Sequence, residues 1–196
     1  GLTRNLSSAE MICQIIAVQN DFSCRVTNLV SMGQGEPFQN HQATLEALRF
    51  ANAKDGLEIG ARHITVSTCG IIRGIERLAN EPEQFTLAVS LHSALQDVRN
   101  EIMPRCSNIP LPHLKKALRS YIEKTGRRVS FEYLLIKGVT DTEENLAALI
   151  DFCDGLLCHV NLLSVNEVEG SPYKPSSTAT QQRWVKELKS AGKEAT

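Results

Sequence analysis

The apolar residues of the chain alternate between helical spacing and strand-like runs. Residues 7–10 read Ser-Ser-Ala-Glu, a helix-capping signature, and the apolar residues after them keep one face to about residue 19. Further helices are predicted over residues 40–53, 71–79, 112–123, 141–152 and 179–190. Strands are predicted over residues 25–32, 62–68, 84–91, 128–136 and 159–165. A loop ending at Ile102-Met103-Pro104 is expected before the helix at 112.

Five strands that alternate with helices indicate an α/β fold built from right-handed βα units around a parallel sheet. Such a chain could form an open doubly wound sheet or an arc of a (β/α) barrel, and 196 residues are few for a closed barrel of about 250. Nothing marks an internal boundary, so we expect one domain over residues 1–196, with residues 167–177 as a long βα loop. In both architectures, ligands bind at the carboxyl ends of the strands.

Small and polar residues are concentrated at those strand ends. The first strand is followed by Met-Gly-Gln-Gly-Glu-Pro at 32–37, and the others end in Ser67-Thr68-Cys69-Gly70, Ser90-Leu91-His92-Ser93 and Asn166-Glu167. The glycines let backbone approach a ligand, and Glu36 offers a carboxylate to an ammonium or a ribose hydroxyl. Singly, each residue could make a turn or cap a helix; together they favour a site for a zwitterionic or nucleoside ligand. Neither a dinucleotide fingerprint nor a Walker lysine is present.

Two residues in or just after the strands allow alternative roles. For His92 we favour hydrogen bonding over metal ligation, because no second histidine or carboxylate pair stands at metal spacing. Glu132 interrupts an apolar and aromatic strand, and it faces either the ligand side of the sheet or a solvated surface.

The composition is that of an ordinary globular domain, with 42% hydrophobic residues and a net charge of −1. Its apolar runs are too short to span a membrane, and no signal peptide is present, so we expect no membrane partner.

Six scattered cysteines favour a reducing cytoplasm, and for Cys153 and Cys158 we favour core packing over metal or redox chemistry. Residues 97–137 hold nine Lys or Arg against four Asp or Glu, which suits RNA phosphates, but we favour a solvated helix face around Lys115, Lys116 and Arg119.

Segments along the whole chain carry a resemblance to a known family. They include Thr-Arg-Asn-Leu at 3–6, Ser-Met-Gly-Gln-Gly-Glu-Pro at 31–37, Ser-Thr-Cys-Gly at 67–70, Ser-Leu-His at 90–92, Arg-Asn-Glu-Ile-Met-Pro at 99–104, Phe-Glu-Tyr at 131–133 and Val-Asn-Leu-Leu at 160–163. The chain resembles the radical S-adenosylmethionine (SAM) enzymes that methylate carbon 2, or in a related branch carbon 8, of an adenine in 23S ribosomal RNA. The resemblance implies a partial (β/α) barrel of the radical-SAM type with about five parallel strands. It also implies that Gly35, Glu36, Ser67, Ser90, Leu91, His92 and Asn166 contact SAM.

The resemblance also implies parts that these 196 residues do not contain. The family binds a [4Fe-4S] cluster with a Cys-x-x-x-Cys-x-x-Cys motif just before the Thr-Arg-Asn-Leu segment, and it carries the methyl group on a cysteine near its C-terminus. None of the six cysteines matches either role, so no metal ligand is assigned in this chain. We therefore expect a core fragment truncated at both ends and inactive alone, in preference to a natural cluster-less binding module.

For the intact enzyme, the resemblance implies ribosomal RNA and an electron donor as partners. It leaves open whether transfer RNA is also a substrate and which adenine carbon is methylated. The alternatives are another radical-SAM or iron–sulfur redox enzyme and a cluster-less nucleoside- or RNA-binding module. A sheet edge exposed by a missing strand could also support dimerisation.

Overall fold

The computed structural model describes residues 3–196 and contains six parallel strands with seven α-helices around them. The strands are β1 (Leu29–Ser31), β2 (Ile64–Thr68), β3 (Thr86–Ser90), β4 (Val129–Leu135), β5 (Cys158–Ser164) and β6 (Glu194–Ala195). The helices are α1 (Ser8–Phe22), α2 (His41–Asn52), α3 (Ile72–Leu78), α4 (Gln96–Ile102), α5 (Leu111–Thr125), α6 (Glu143–Cys153) and α7 (Thr178–Ser190).

The strands follow one another in the sheet in chain order, from β1 to β6. This order confirms the expected α/β class, and all five predicted strands are present. β1 and β6 stand at the two ends of the order, and edge-to-edge dimerisation stays a prediction. The chain divides into two compact units at Leu87 and Ala88, within β3. The expectation of one domain over residues 1–196 stays a prediction.

In the first unit, sequence signals and packing agree closely. Ser7 caps α1, because its hydroxyl accepts the Glu10 N–H at 3.3 Å and the Glu10 carboxylate accepts the Ser7 N–H at 2.9 Å. Strands β1 and β2 pair in parallel, with Ser31 opposite Val66. The α2 residues Leu45, Leu48 and Ala51 are buried. The first predicted strand, 25–32, is shorter than expected, since only Leu29–Ser31 pairs.

In the second unit, β4 and β5 pair in parallel over seven residues, from Val129 opposite Cys158 to Leu135 opposite Ser164. Tyr133 on β4 packs against the buried Trp184 of α7, with ring centroids 5.4 Å apart. Phe131 meets Phe152 of α6 edge to face, with a centroid distance of 5.6 Å. One face of β4 therefore belongs to the aromatic core against the helices.

Two elements of the second unit were not predicted. The expected loop before residue 104 is wrong in part, because Gln96–Ile102 forms α4. That heptapeptide contains only two apolar residues, Val98 and Ile102, so it has no apolar stripe to reveal it. The two-residue strand β6 pairs beside β5, with Ala195 opposite Val160, and is too short to leave a pattern.

Candidate functional site

In the first unit, the loop after β1 is organised by the carboxylate of Glu36. Glu36 precedes the 3₁₀ turn Pro37–Asn40 and caps it, because its Oε1 accepts the N–H of Phe38 at 3.1 Å. Its Oε2 accepts the N–H of Cys69, just past the end of β2, at 2.8 Å. The carboxylate thus joins the loops at the ends of two neighbouring strands. Each carboxylate oxygen retains a further lone pair for a donor group of a ligand.

The same loop turns through two glycines with positive φ. Gly33 has a φ of 148° and Gly35 a φ of 102°. A Cβ at Gly35 would meet no heavy atom within 4 Å, so the backbone conformation rather than crowding requires glycine there.

A cavity of about 730 Å³ lies beside this loop. Its walls come from α1, β1, α2 and the loop itself, and they include Met11, Ile15, Leu29, Ser31, Gly35 and Glu36. The volume falls within the range usual for small-molecule sites. The structure thus brings Gly35 and Glu36 together at one cavity. Ser67, in β2, is only 5% exposed and is not one of the residues lining it.

In the second unit, the carboxyl end of β3 turns sharply at Ser90, Leu91 and His92. His92 has a left-handed φ of 56°, unusual for a residue with a side chain. The N–H groups of Leu91 and His92 both donate to the Glu132 carbonyl on β4, at 3.0 and 3.2 Å. The fully buried Arg99 of α4 donates from Nε to the Leu91 carbonyl at 3.2 Å and from Nη2 to the Ser90 carbonyl at 3.5 Å. The turn is therefore held by hydrogen bonds on both of its sides.

The imidazole of His92 is neutral at pH 7. Burial, and secondly the nearby positive charge of Arg99, lower its pKa to about 4. Its Nδ1 is buried, and no hydrogen-bond partner for that nitrogen occurs among residues 3–196. Because burying an unsatisfied polar atom is costly, this nitrogen is suited to a hydrogen bond with a bound molecule.

The structure decides the orientation of Glu132. It lies half-buried on the face of β4 opposite Phe131 and Tyr133, and its Oε2 accepts the Nδ2 of Asn161 on β5 at 2.8 Å. Neither Arg99 nor Asn161 was selected as a site residue from the sequence. Asn161 lies between the apolar residues Val160 and Leu162 and pairs in register with Glu132.

The remaining expectations concern exposed positions. Asn166 is exposed in the irregular segment after β5, and its role stays a prediction. Lys116 and Arg119 are exposed on α5, whereas Lys115 donates to the Asp151 carbonyl at 2.8 Å and packs 6.0 Å from the Phe152 ring centre. Lys115 therefore serves packing between α5 and α6.

The cysteines differ in their exposure. Cys13 and Cys24 are exposed, Cys69 is half-buried, and Cys106, Cys153 and Cys158 are buried. The burial of Cys153 and Cys158 agrees with the expected core packing. Within residues 3–196, no three His, Cys, Asp or Glu side chains are grouped so that they could hold a metal ion. No helix in this same range is long and apolar enough to cross a membrane.

Comparison with known proteins identifies relatives along the whole chain. Residues 8–150 match the profile of a family described as the Radical SAM superfamily. All 196 residues align with proteins named "Probable dual-specificity RNA methyltransferase RlmN", at 41% identity in Clostridium novyi and 44% in Alkaliphilus oremlandii. The aligned region is 57% of each of those proteins, so the chain spans about half the length of the curated relatives that it matches.

Solved structures of other proteins also superpose on the chain. A radical SAM methyltransferase from Sphaerobacter thermophilus superposes on the whole chain with a TM-score of 0.94 and 43% identity, over 58% of its own length. SuiB from Streptococcus suis superposes on the whole chain with a TM-score of 0.72, over 44% of its own length. Its identity is 19%, so it supports the fold alone.

Proposed function

The chain belongs to the radical SAM superfamily, and on this premise we propose that it is the SAM-binding core of a methyltransferase that modifies an adenine of 23S ribosomal RNA. The observation that carries the proposal is the alignment of every residue with relatives named RNA methyltransferases. The words "dual-specificity" in those names support a second RNA substrate, for which we propose transfer RNA. The free cysteines suit a cytoplasmic enzyme, which would also need an electron donor.

By the family resemblance, each of the predicted site residues suits a part of SAM. In this proposal, Glu36 accepts the amino group, Gly35 lets the backbone approach it, and Ser67 and Asn166 hold the carboxylate and ribose region. Ser90 and His92 contact the adenosine side, next to the buried Leu91. The unpartnered Nδ1 of His92 supports this assignment, because a nucleoside offers it a hydrogen bond. One molecule of SAM would supply the methyl group, and a second, on reductive cleavage to methionine, would supply the radical that activates the substrate.

The described residues do not fit an iron–sulfur cluster. A cluster of this kind needs several cysteine thiolates close together, and no such group occurs within residues 3–196. The part of the reaction that this region can perform is therefore binding and orientation of SAM. We expect no methylation by these residues alone.

The role of Glu36 is tested by Glu36→Gln in the protein expressed from the complete gene, with its cluster reconstituted. We expect SAM affinity, measured by calorimetry, to fall about tenfold or more, because the charge that would hold the ammonium is lost. Because both oxygens also accept backbone N–H groups, the substitution should lower the free energy of unfolding by about 1–2 kcal/mol. Unchanged SAM affinity in a folded variant would contradict the assignment.

RNA binding is tested separately by a gel shift with a 23S ribosomal RNA hairpin at two salt concentrations. Contacts to phosphates release counterions, so the affinity should fall steeply as salt rises. Absence of salt-dependent binding by the complete protein would favour another radical-SAM reaction, on a small molecule or a protein.

A further inference from the structure

The carboxylate of Glu132 faces the side of the sheet that the aromatic core does not use. Side chains alternate along a strand, and the buried neighbours Phe131 and Tyr133 pack toward α6 and α7. Glu132 must then point to the other face, where it is half-buried. A carboxylate in this position has lost part of its hydration, which must be replaced by hydrogen bonds from other groups.

Among residues 3–196, one such hydrogen bond to the side chain is present. Nδ2 of Asn161 donates to Oε2 of Glu132 at 2.8 Å. Glu132 forms no ion pair with any residue in the described part of the chain. A carboxylate can accept about four hydrogen bonds, so most of its capacity remains open. The Asn161 contact also fixes the direction in which the carboxylate points.

The backbone of Glu132 connects this carboxylate to the turn after β3. Its carbonyl accepts the N–H groups of both Leu91 and His92, so Glu132 is hydrogen-bonded directly to that turn. A molecule bound at Ser90 and His92 would therefore lie next to the strand segment that carries Glu132. Nucleosides carry donors that suit a carboxylate, namely ribose hydroxyls and an exocyclic amine.

We infer that Glu132, oriented by Asn161, is a further ligand-binding residue that accepts a hydrogen bond from the nucleoside portion of the bound molecule. The inference rests on the proposed function, which places a nucleoside at Ser90 and His92. It assigns the open acceptor capacity of Glu132 to either a ribose hydroxyl or the adenine amine.

The experiment is a chemical-shift titration of the ¹⁵N-labelled chain with 5′-methylthioadenosine, a nucleoside thioether. Glu132→Gln preserves size and the bond from Asn161 but removes the charge. We expect it to weaken binding about ten- to hundredfold, as loss of a charged hydrogen bond does. Glu144→Gln, at an exposed position of α6, is the matched control and should leave binding unchanged. Thermal melting confirms that each variant is folded.

Analogues identify the donor and keep the inference falsifiable. The wild type and Glu132→Gln are each titrated with the 2′,3′-dideoxy form and with the form lacking the 6-amino group. The inference is supported if one analogue binds the wild type more weakly than 5′-methylthioadenosine does and this difference in affinity is smaller in Glu132→Gln. Equal binding of 5′-methylthioadenosine by wild type and variant, or undiminished penalties for both analogues, would overturn the inference while leaving the proposed function intact. If Glu132→Gln does not fold, Glu132→Asp takes its place in the same comparison.

A wild-type chain that binds neither 5′-methylthioadenosine nor SAM would contradict the proposed nucleoside site itself, and the inference would fail with it. The two failures are therefore distinguished by the wild-type titration alone.

Discussion

At the scale of single residues, His92 has a property that a pH titration can measure. Its pKa is lowered to about 4 by burial and by Arg99, whereas an unfolded histidine titrates near 6.5. As the pH falls below about 6.5, the histidine becomes protonated in the unfolded state but stays neutral in the folded state. This residue should therefore destabilise the protein progressively between about pH 6.5 and 4.

The comparison of wild type with His92→Asn isolates that effect. Asparagine tolerates the left-handed backbone at this position but does not titrate. Chemical denaturation should show that, between pH 7 and pH 5, the free energy of unfolding falls by about 2 kcal/mol more in the wild type than in the variant. Other histidines with lowered pKa values, His41 and His159, are present in both proteins and cancel. Equal losses in the two proteins would show that His92 titrates normally in the fold.

The location of several candidate residues was predictable at this scale, but their surroundings were not. β3 ends at Ser90, within one residue of the predicted end at 91, because an apolar run closed by polar residues indicates a strand end. The sequence could not show that Arg99, eight residues after Leu91, is fully buried and bonded to the carbonyls of that turn. A charged residue in a polar heptapeptide is normally exposed. Its burial depends on packing between elements, which local pattern does not encode.

At the scale of elements, helix α3 packs tightly through Gly74. A Cβ at this position would lie 2.1 Å from Cγ of the buried Phe38 ring. Alanine is the better helix former, yet the clash should outweigh that gain. We expect Gly74→Ala to lower the free energy of unfolding by about 1–3 kcal/mol in urea titrations. Ser120→Ala, on the exposed side of α5, should change it by no more than about 0.5 kcal/mol; a stabilised Gly74→Ala would disprove the packing.

Elements with strong periodicity were predicted well, and those that were missed were missed for physical reasons. α2 has buried residues at helical spacing, and α6 begins at a cap in which the Thr142 hydroxyl accepts the Asn145 N–H at 3.3 Å. α4 has no apolar stripe and lies where Arg99 is buried, and β6 depends only on pairing with β5. Tertiary contacts, not local preference, define these two elements.

At the scale of the whole molecule, the exposure of the six cysteines predicts an order of chemical modification. Iodoacetamide at neutral pH should label Cys13 and Cys24 first and the half-buried Cys69 more slowly. Cys106, Cys153 and Cys158 should react only in denaturant, because they are buried. Intact-mass and peptide mass spectrometry would follow the order. Early labelling of any buried cysteine under native conditions would contradict the described packing.

We propose that this chain forms the SAM-binding core of an adenine-modifying RNA methyltransferase. The most direct measurement incubates the protein from the complete gene, with cluster, SAM and reductant, with a 23S ribosomal RNA fragment and then analyses its nucleosides by mass spectrometry. We expect a methylated adenosine, and we expect its formation to fall at least tenfold in Glu36→Gln. Cleavage of SAM without methylation of ribosomal or transfer RNA would contradict it.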